Sequence, residues 1–563
     1  MKRLRWQLII ILLTGLVVGV LLLSQQPGGV KVQAPAPSSG GVYTEALIGS
    51  LSRLNPILDT YNQADQDVDS LLYSGLLRFD SRGMPQADLA ESWGYSKDGT
   101  VYNFALRPNA KWHDGSPVTV DDVIFTIDLI KNENSLVPAD LRAFWKDIQV
   151  KKFNETTVQF RLPEAFAPFP DYLTFGILPK HLLGGMSWDQ IVNAQFNLQP
   201  VGSGPYQIDH LIVENGQPVG VALKANDKYY GKKPFIEQIV FRYYPTAQAA
   251  YEAYTQGNVQ GISRVSSDIL PKVLSEPNLA LYTGRDPQLT LILLNLKNQD
   301  TAFLQDAALR KALFTGLNRQ KMIDRLLNGQ AVIADGPILP DTWAYYDGVG
   351  RVEYDPQAAA RQLRDAGYTL GSDGKTLTTK DGTAVTFKLL YPDQPSYKAI
   401  AEAVQNDWAN LGVKLDLQAL PYDQLVKDHL ETHQYQAALV DLNLSHSPDP
   451  DPYPFWDQAE ATGGQNYSQW DSRIASEYLE QARITVDFNE RARLYRNFQV
   501  IFAKELPALP LFYPVYTYAV DRSVQGVQMG PLFEPSDRFA TVSTWYMVAK
   551  RPSAAEAAVT QTP

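Results

Sequence analysis

The chain has 563 residues, of which 45% are hydrophobic and 20% charged, so it is globular in composition and too long for a single compact core. The formal net charge of -11 argues against nucleic acid as a partner, because phosphate binding needs a basic surface. The sequence contains no cysteine, which excludes disulfides, thiolate metal ligands, cysteine nucleophiles and lipids attached through cysteine.

Residues 1–40 have the pattern of a targeting segment. A basic head, residues 2–5, precedes an apolar run over residues 8–23, which is typical of a secretion signal or a signal anchor. Residues 34–37, Ala-Pro-Ala-Pro, form a poor cleavage site because prolines occupy the positions before the cut. We therefore favour an uncleaved anchor with its basic end inside over a cleaved signal, with residues 24–40 as a flexible tether. Either alternative places the body of the chain outside the cytoplasm.

Strand patterns dominate the first half of the body. Residues 42–47 and 101–106 alternate apolar and polar side chains, which predicts half-buried strands. Residues 121–130 change to helical spacing, and Thr119 is placed to cap that helix at its N-terminus. Further strands are predicted over residues 219–223, 236–243 and 289–296. The strand over residues 289–296 is apolar throughout, which suits a buried crossing between lobes.

Helices and strands alternate in the second half. Helices are predicted over residues 306–327, 356–366, 399–411 and 471–505, and strands over residues 385–391, 414–419 and 437–444. This alternation favours an α/β lobe with a mixed sheet. The tail, residues 551–563, is rich in Ala, Pro and Thr and is predicted to be disordered.

Two histidines, His429 and His433, stand four positions apart. On one helix face both could reach a metal ion, but Glu431 would lie elsewhere on the helix and no third ligand is near. The pattern is not that of a metalloprotease, in which glutamate directly follows the first histidine. We interpret the pair as part of a solvated helix face and predict no metal site.

Asp449 and Asp451 lie in a proline-rich acidic loop. As a catalytic pair they would need surroundings that separate their pKa values, and no nucleophile elbow or phosphate loop accompanies them. We interpret both as residues that stabilise the turn by Asx hydrogen bonds. The segment from Trp112 to Gly115 is likewise interpreted as a turn before the helix capped by Thr119. No catalytic residue and no cofactor is predicted.

Several short motifs follow one another in a recognisable order. They include Ser52-Arg53-Leu54-Asn55-Pro56, Asp88-Leu89-Ala90-Glu91-Ser92-Trp93, Trp112-His113-Asp114-Gly115, Gly202-Ser203-Gly204-Pro205-Tyr206, Ala308-Leu309-Arg310-Lys311-Ala312-Leu313 and Leu506-Pro507-Ala508-Leu509-Pro510. With this order, the chain from about Gly41 to about Lys550 resembles the extracellular solute-binding proteins of family 5. These are the peptide, dipeptide and nickel receptors of ABC importers.

The resemblance implies a fold. It is an α/β, two-lobed periplasmic-binding-protein-like fold (type II, cluster C) with an extra inserted subdomain and mixed sheets. Lobe I would comprise residues 41–77, 200–288 and 512–550, its inserted subdomain residues 78–199, and lobe II residues 289–511. Two strands, near residues 291–294 and 509–513, would cross between the lobes as hinges.

The resemblance also implies a ligand site between the lobes. The candidate contact residues are Tyr61, Asn62, Gln63, Tyr422, Asn443, Leu444, Ser445, His446 and Tyr513. In peptide-binding relatives, an aspartate at the position of His446 pairs with the free ammonium group of the peptide. A neutral histidine accepts a hydrogen bond far more weakly, which leaves open whether the ligand of this chain presents a free amine.

We expect an extracytoplasmic receptor that captures a peptide-like solute by hinge closure. Its partners would be that solute, an ABC permease with its ATPase subunits, and the membrane through the N-terminal segment; it would act as a monomer. Two alternatives remain open. The same receptor class could bind oligosaccharides or another non-peptide solute, and a secreted hydrolase could use the paired carboxylates.

Overall fold

The computed structural model describes residues 37–445 and 448–548. The strands, in chain order, are β1 Val42–Ile48, β2 Leu77–Phe79, β3 Pro85–Ala87, β4 Ala90–Tyr95, β5 Val101–Leu106, β6 Gln149–Lys152, β7 Thr157–Arg161, β8 Tyr206–Glu214, β9 Gln217–Ala225, β10 Gln238–Tyr244, β11 Gly261–Ile262, β12 Leu279–Arg285, β13 Gln288–Leu294, β14 Ala331–Ile333, β15 Thr369–Leu370, β16 Leu377–Thr378, β17 Thr386–Pro392, β18 Lys414–Leu420, β19 Ala437–Asn443, β20 Ala508–Asp521, β21 Val524–Gln525 and β22 Tyr546–Met547.

The longer helices are α1 Gln63–Leu72, α2 Val120–Lys131, α3 Ala139–Lys146, α4 Ala247–Thr255, α5 Ala307–Thr315, α6 Arg319–Leu326, α7 Pro356–Asp365, α8 Pro395–Ala409, α9 Arg473–Ile484 and α10 Phe488–Glu505. Shorter helical segments lie at Phe169–Leu173, Lys180–Leu183, Trp188–Val192, Gln195–Leu198, Leu270–Leu274, Gln299–Gln305, Asp347–Val349, Tyr422–Gln424, Leu425–Leu430, Tyr453–Trp456, Gln458–Ala461, Pro535–Phe539 and Val542–Thr544.

A 12-stranded sheet runs through the molecule in the order β18-β17-β19-β13-β20-β11-β1-β10-β9-β8, with β12 and β14 also paired to β20. Strand β17 pairs in parallel with β18 and β19, and β1 pairs in parallel with β10 and β11. The strands between these groups pair antiparallel. The predicted α/β class with a mixed sheet is confirmed.

The long strand β20 joins the two halves of this sheet. Its first part, Ala508 to Phe512, pairs with β13, and its last part, Val515 to Asp521, pairs with β12. Strands β12 and β13 follow each other along the chain with only Asp286 and Pro287 between them. The chain therefore crosses between the halves once in each direction, and the two crossings lie side by side.

Buried side chains form two large groups that meet at these crossings. The first core draws on residues 43–241 and 516–545, and the second core on residues 289–513. A smaller group lies around α4 and the turn Leu270–Leu274. The described residues from Ser39 onward belong to one compact unit. The boundary between the two large cores on β20 falls between Tyr513 and Tyr516.

A separate antiparallel sheet, ordered β4-β5-β7-β6, lies in the segment between β3 and β8. Helix α2 belongs to this part and begins directly after Thr119. The backbone amide of Thr119 donates to Oδ2 of Asp122 at 2.8 Å, and the hydroxyl of Thr119 donates to the same oxygen at 2.8 Å. The predicted cap of this helix is confirmed.

Two segments predicted as single helices are each divided. The segment over residues 306–327 breaks after α5 at Gly316, where a Cβ atom would lie 2.6 Å from Cδ1 of Leu411. Asn318 starts α6 by accepting from the amide of Lys321 at 3.0 Å. The segment over residues 471–505 breaks between α9 and α10, because Asp487 caps α10 by accepting from the amide of Glu490 at 2.9 Å. In each case a polar cap inside an apolar pattern restarts the helix.

The predicted targeting segment, residues 8–23, and the predicted disordered tail, residues 551–563, lie outside the described residues. Among the helices of residues 37–445 and 448–548, none has the length and apolar character needed to cross a membrane.

Candidate functional site

Backbone hydrogen bonds define the crossing between the two halves of the sheet. The amide of Asp286 donates to Pro514 O at 2.9 Å, and the amide of Leu444 donates to Pro287 O at 2.8 Å. Pro287 and Pro514 have no amide hydrogen, so neither can donate to a strand ladder at this point. The crossing therefore has fewer ladder hydrogen bonds than the strands on either side, as expected of a place where the chain bends.

Strand β19 ends beside this crossing and carries three of the predicted site residues. Asn443 is exposed and is paired in register with Gln288, the first residue of β13. Ser445 is half-buried, and its amide donates to Oδ1 of Asn443 at 2.9 Å. Leu444 is buried in the second core. Asn443 and Ser445 thus lie on the accessible face, and Leu444 faces the opposite way. His446 lies outside the described residues.

Asp441 lies two residues before Asn443 and therefore on the same face of β19. Its Oδ1 accepts a hydrogen bond from the hydroxyl of Thr290 at 2.6 Å, and its Oδ2 accepts one from the hydroxyl of Tyr397. Burial raises the pKa of Asp441, and these two hydrogen bonds lower it in part. Thr290 is the register partner of Asp441 on β13, and Tyr397 comes from α8.

Tyr422 opens the short helix after β18 and leaves 49% of its surface exposed. Burial of part of the side chain raises the pKa of its hydroxyl, and the charge of Asp441 adds to that rise. The structure thus brings Tyr422 near Asp441 and the end of β19. An aromatic ring with one face open offers both apolar contact and a polar edge.

Three charged side chains at the crossing, Asp441, Asp286 and Arg264, interact across the boundary between the two cores. Burial raises the pKa of Asp286, Arg264 lowers it, and the charge of Asp441 raises it again. Nη2 of Arg264 lies 3.0 Å from Oδ2 of Asp286, and the guanidinium also stacks over the ring of Tyr516. Asp286 therefore lies between Asp441 on the second core and Arg264 on the first.

The predicted site residues of the first core lie in the loop that begins α1. Tyr61 is 87% exposed. Asn62 caps α1 through its side-chain oxygen, which accepts from the amide of Ala64 at 3.2 Å. Gln63 is exposed and donates to Oδ1 of Asp67 at 3.0 Å. The side chains of Tyr61 and Gln63 are exposed, whereas the side chain of Asn62 holds the start of the helix.

Tyr513 is fully buried. Its hydroxyl donates to the carbonyl oxygens of Gly336 and Ile338, at 2.5 and 3.0 Å. Burial raises the pKa of this hydroxyl well above its ordinary value. The side chain fixes β20 to the loop after β14, while its backbone lies at the crossing. The structure therefore does not bring the Tyr513 side chain together with Tyr422 and Asn443.

The acidic loop has the Asx hydrogen bond predicted for it, since the amide of Asp451 donates to Oδ1 of Asp449 at 3.2 Å. Both aspartates also have buried partners. Asp449 forms an ion pair with Arg491. Asp451 forms a bidentate ion pair with Arg483, whose Nε and Nη2 lie 3.0 and 2.9 Å from the carboxylate oxygens. These contacts engage both carboxylates in packing, which supports the structural interpretation over the catalytic one.

The two histidines do not share a helix face, and this expectation was wrong. The helical segment Leu425–Leu430 ends before His433, which has the left-handed backbone angle φ 56°. Nδ1 of His429 lies 2.9 Å from the carbonyl oxygen of Gln434. Across the part of the chain that the structure describes, no group of three or more His, Cys, Asp or Glu is arranged to hold a metal ion.

Five further residues lie at the crossing and were not predicted from the sequence as site residues: Thr290, Tyr397, Asp441, Arg264 and Asp286. The period-two alternation of strands could have placed Asp441 on the face of Asn443. The other residues come from separate elements, and only the sheet register brings them together.

Comparison with known proteins agrees with this architecture. Residues 84–465 match the family described as "Bacterial extracellular solute-binding proteins, family 5 Middle". The dipeptide-binding protein of Escherichia coli is 27% identical over 537 residues, which cover 91% of this chain and 96% of that protein. The oligopeptide-binding protein AppA of Bacillus subtilis is 25% identical over 528 residues, which cover 92% and 93% of the two chains.

A solved structure has the same fold over almost the whole body. The structure of Bacillus subtilis AppA in complex with a nonapeptide matches with a TM-score of 0.64 at 24% identity. The match covers 91% of this chain and 100% of that chain. This confirms the predicted two-lobed periplasmic-binding-protein fold. The family match extends over more than half of the sequence and agrees with the family inferred from the motifs. The chain belongs to the bacterial extracellular solute-binding proteins, family 5.

Proposed function

We propose that this protein is the receptor of an ABC importer and that it binds a peptide-like solute between its two lobes. The relatives named for dipeptide and oligopeptide binding support a peptide ligand, and so does the nonapeptide in the AppA structure. The receptor would deliver bound solute to a permease, and the ATPase subunits of that permease would drive transport across the membrane.

The position of Asn443 carries this proposal. Its side chain is exposed at the end of β19, and its register partner Gln288 directly follows the crossing between the two cores. A ligand held here and by the loop of Tyr61 and Gln63 would touch both cores at once. Contacts that exist only when both lobes meet the ligand favour the closed arrangement, which is the physical basis of capture by hinge closure.

The lobe boundaries are also a proposal. We propose residues 41–77, 200–288 and 512–550 for lobe I, residues 78–199 for its inserted subdomain, and residues 289–511 for lobe II. The division into a first core and a second core supports the separation of the two lobes, although Phe512 and Tyr513 pack in the second core. The separate sheet β4-β5-β7-β6 supports the inserted subdomain. The bending points would be at Asp286 and Pro287 and at Tyr513 to Val515. They replace the hinges expected near residues 291–294 and 509–513, because those segments are paired with each other inside the second core.

The remaining proposals concern the setting of the receptor. Members of this family are extracellular, and we propose that residues 8–23 tether this one to the outer face of the cell membrane. We further propose that it acts as a monomer and that it binds its solute without converting it. The buried ion pairs of Asp449 and Asp451 support the last point, because they leave neither carboxylate as a free acid or base.

Native mass spectrometry of the full chain, purified without refolding, tests the proposed ligand. A retained mixture of peptides is the expected result. A retained oligosaccharide, or peptides bound only as cleaved products of a larger added peptide, would contradict the proposal. Sequencing the N-terminus of the same sample tests the tether, since an intact basic head supports an anchor and a new terminus after residue 23 opposes it.

A further inference from the structure

Asp441 is held in a fixed orientation by two hydroxyl groups from different elements. Thr290 on β13 donates to Oδ1 at 2.6 Å, and Tyr397 on α8 donates to Oδ2. A carboxylate has about four lone-pair sites, so two donors leave acceptor capacity on both oxygens. The group is half-buried beside the exposed end of β19. Its remaining lone pairs are therefore fixed in place and open to a further donor.

Asp441 has no counter-charge of its own. In the described part of the chain, no side-chain nitrogen of lysine, arginine or histidine lies within 4.0 Å of its carboxylate oxygens. Arg264, the cation on the other side of Asp286, is engaged with that residue at 3.0 Å. A partly desolvated carboxylate without a cation is costly, and burial accordingly raises its pKa. An incoming cation would remove this cost.

The surroundings of Asp441 also suit a cation. Tyr397 contacts the carboxylate directly, and Tyr422, with half of its surface exposed, is close enough for the charge of Asp441 to raise its pKa. The faces of tyrosine rings attract ammonium groups, and this attraction is stronger where water is partly excluded. Asp441 would supply the charge partner of an ammonium group, and Tyr422 an exposed aromatic ring near it.

We propose that Asp441 binds the cationic group of the ligand, the ammonium group at the free amino end of a peptide. This proposal rests on the proposed peptide-binding function and adds a residue that determines specificity. The family resemblance implies an aspartate with this role at the position of His446, five residues further along the chain. Here the charge lies within β19, beside the crossing, so the amino end of the ligand would lie closer to the hinge.

The test compares peptides with and without a free amine. Alanine peptides of two to five residues, and the same peptides acetylated at the N-terminus, are titrated into the purified full chain by calorimetry. For the wild-type protein we expect the free peptides to bind at least about tenfold more tightly, which is the effect of one hydrogen bond between charged groups.

The decisive variant is Asp441→Asn, which removes the charge with little change in size. We expect its preference for the free amine to fall to about onefold, because both peptide forms would then meet a neutral group. The matched control is Asp416→Asn on β18, an exposed carboxylate of the same sheet. Its preference should equal that of the wild type. Tyr397→Phe is a second variant that keeps the charge and frees one oxygen, and we expect it to lower the preference several-fold.

The outcomes separate the two levels of the proposal. A wild-type protein that binds no peptide of either form would overturn the peptide-binding function itself. A wild type that binds both forms equally, or an Asp441→Asn protein that keeps the full preference, would overturn the role of Asp441 and leave peptide binding standing. If Asp441→Asn does not fold, an unchanged preference in Tyr397→Phe would count against the role in the same way.

Discussion

The backbone amide of Asp449 donates a hydrogen bond to Oδ2 of Asp171 at 2.8 Å. Asp171 lies in the helical turn Phe169–Leu173 of the proposed inserted subdomain, and Asp449 lies in the acidic loop that follows β19. Close by, the guanidinium of Arg483 lies over the ring of Phe166 at 5.3 Å, and the amide of Ala167 donates to Arg483 O at 2.6 Å. The subdomain and the second core are thus joined by direct polar contacts.

Asp171 is the least compensated charge of this contact. Asp171, Asp449 and Asp451 face the two cations Arg483 and Arg491, and these pair with Asp451 and Asp449. Burial and the charge of Asp449 raise the pKa of Asp171 well above its ordinary value. Such a group contributes stability that is fully present below the pKa of the unfolded chain and is lost as the pH rises through the raised pKa.

Replacing Asp171 with asparagine should therefore stabilise the protein near neutral pH. Asn keeps an acceptor for the amide of Asp449 and carries no charge, so we expect the free energy of unfolding to rise by roughly 1 kcal/mol, with a flatter dependence on pH. Urea unfolding at several pH values measures this. Glu164→Gln, an exposed change in the same subdomain, is the control and should have little effect. A clear loss of stability in Asp171→Asn would contradict the argument.

The ion pair of Arg491 and Asp449 offers a second test. Both side chains are buried, at 1% and 4% exposure, and the guanidinium also stacks over Trp343 at 5.0 Å. Arg491→Ala leaves the carboxylate of Asp449 buried without its partner, so we expect a loss of about 3–5 kcal/mol in the free energy of unfolding. Chemical denaturation monitored by tryptophan fluorescence measures it.

The control for this variant lies two residues further along the same helix. Arg493 pairs with Glu490 at 2.5 Å, and both side chains are about half exposed. Arg493→Ala should cost only about 0–1 kcal/mol, because water screens an exposed ion pair. Equal losses in Arg491→Ala and Arg493→Ala would show that burial of the first pair does not determine its contribution.

The buried His113 should make the stability of the protein depend on pH in the acidic range. Its Nδ1 accepts from the amide of Gly202 at 3.0 Å, and its Nε2 lies 3.2 Å from Gly204 O. Burial lowers the pKa of His113 from 6.5 to about 4. A depressed pKa means that the unfolded chain binds the proton more tightly, so stability is lost as the pH falls from about 6.5 towards 4.

His113→Gln should flatten this part of the pH profile, because an amide does not titrate. Thermal unfolding across the acidic range measures the slope. His210→Gln, which replaces a histidine with 59% of its side chain exposed, should leave the slope as in the wild type. If His113→Gln and the wild type lose stability in parallel over this range, the titration of His113 is not the cause.

The sequence predicted those features whose causes are local. The cap at Thr119 depends on residues within one helical turn, and the turn at Gly202 is recognisable from its small residues. The structure adds the reason for glycine there, since a Cβ atom on Gly202 would lie 1.9 Å from Leu72 O. The hydrogen bond from Gly202 to His113 spans 89 positions, and no local pattern reveals it.

The same distinction explains the candidate site. Asn443 and Tyr422 were predicted because short motifs place them, and the side chain of Tyr513 was predicted to face the ligand although it is buried. The roles of Thr290 and Tyr397 depend on the pairing of β13 with β19 and on the packing of α8. Pairing between distant strands is fixed by the whole fold, so these contacts could not be read from one stretch of sequence.

Small-angle X-ray scattering of the full chain during titration with alanine peptides tests the central claim, capture of a peptide by hinge closure. Closure of two lobes around one ligand makes the molecule more compact, so we expect the radius of gyration to fall and to saturate at one peptide per chain. The peptide recovered afterwards should be intact. A radius of gyration that does not change with peptide, or a fall that occurs only with oligosaccharides, would contradict the account.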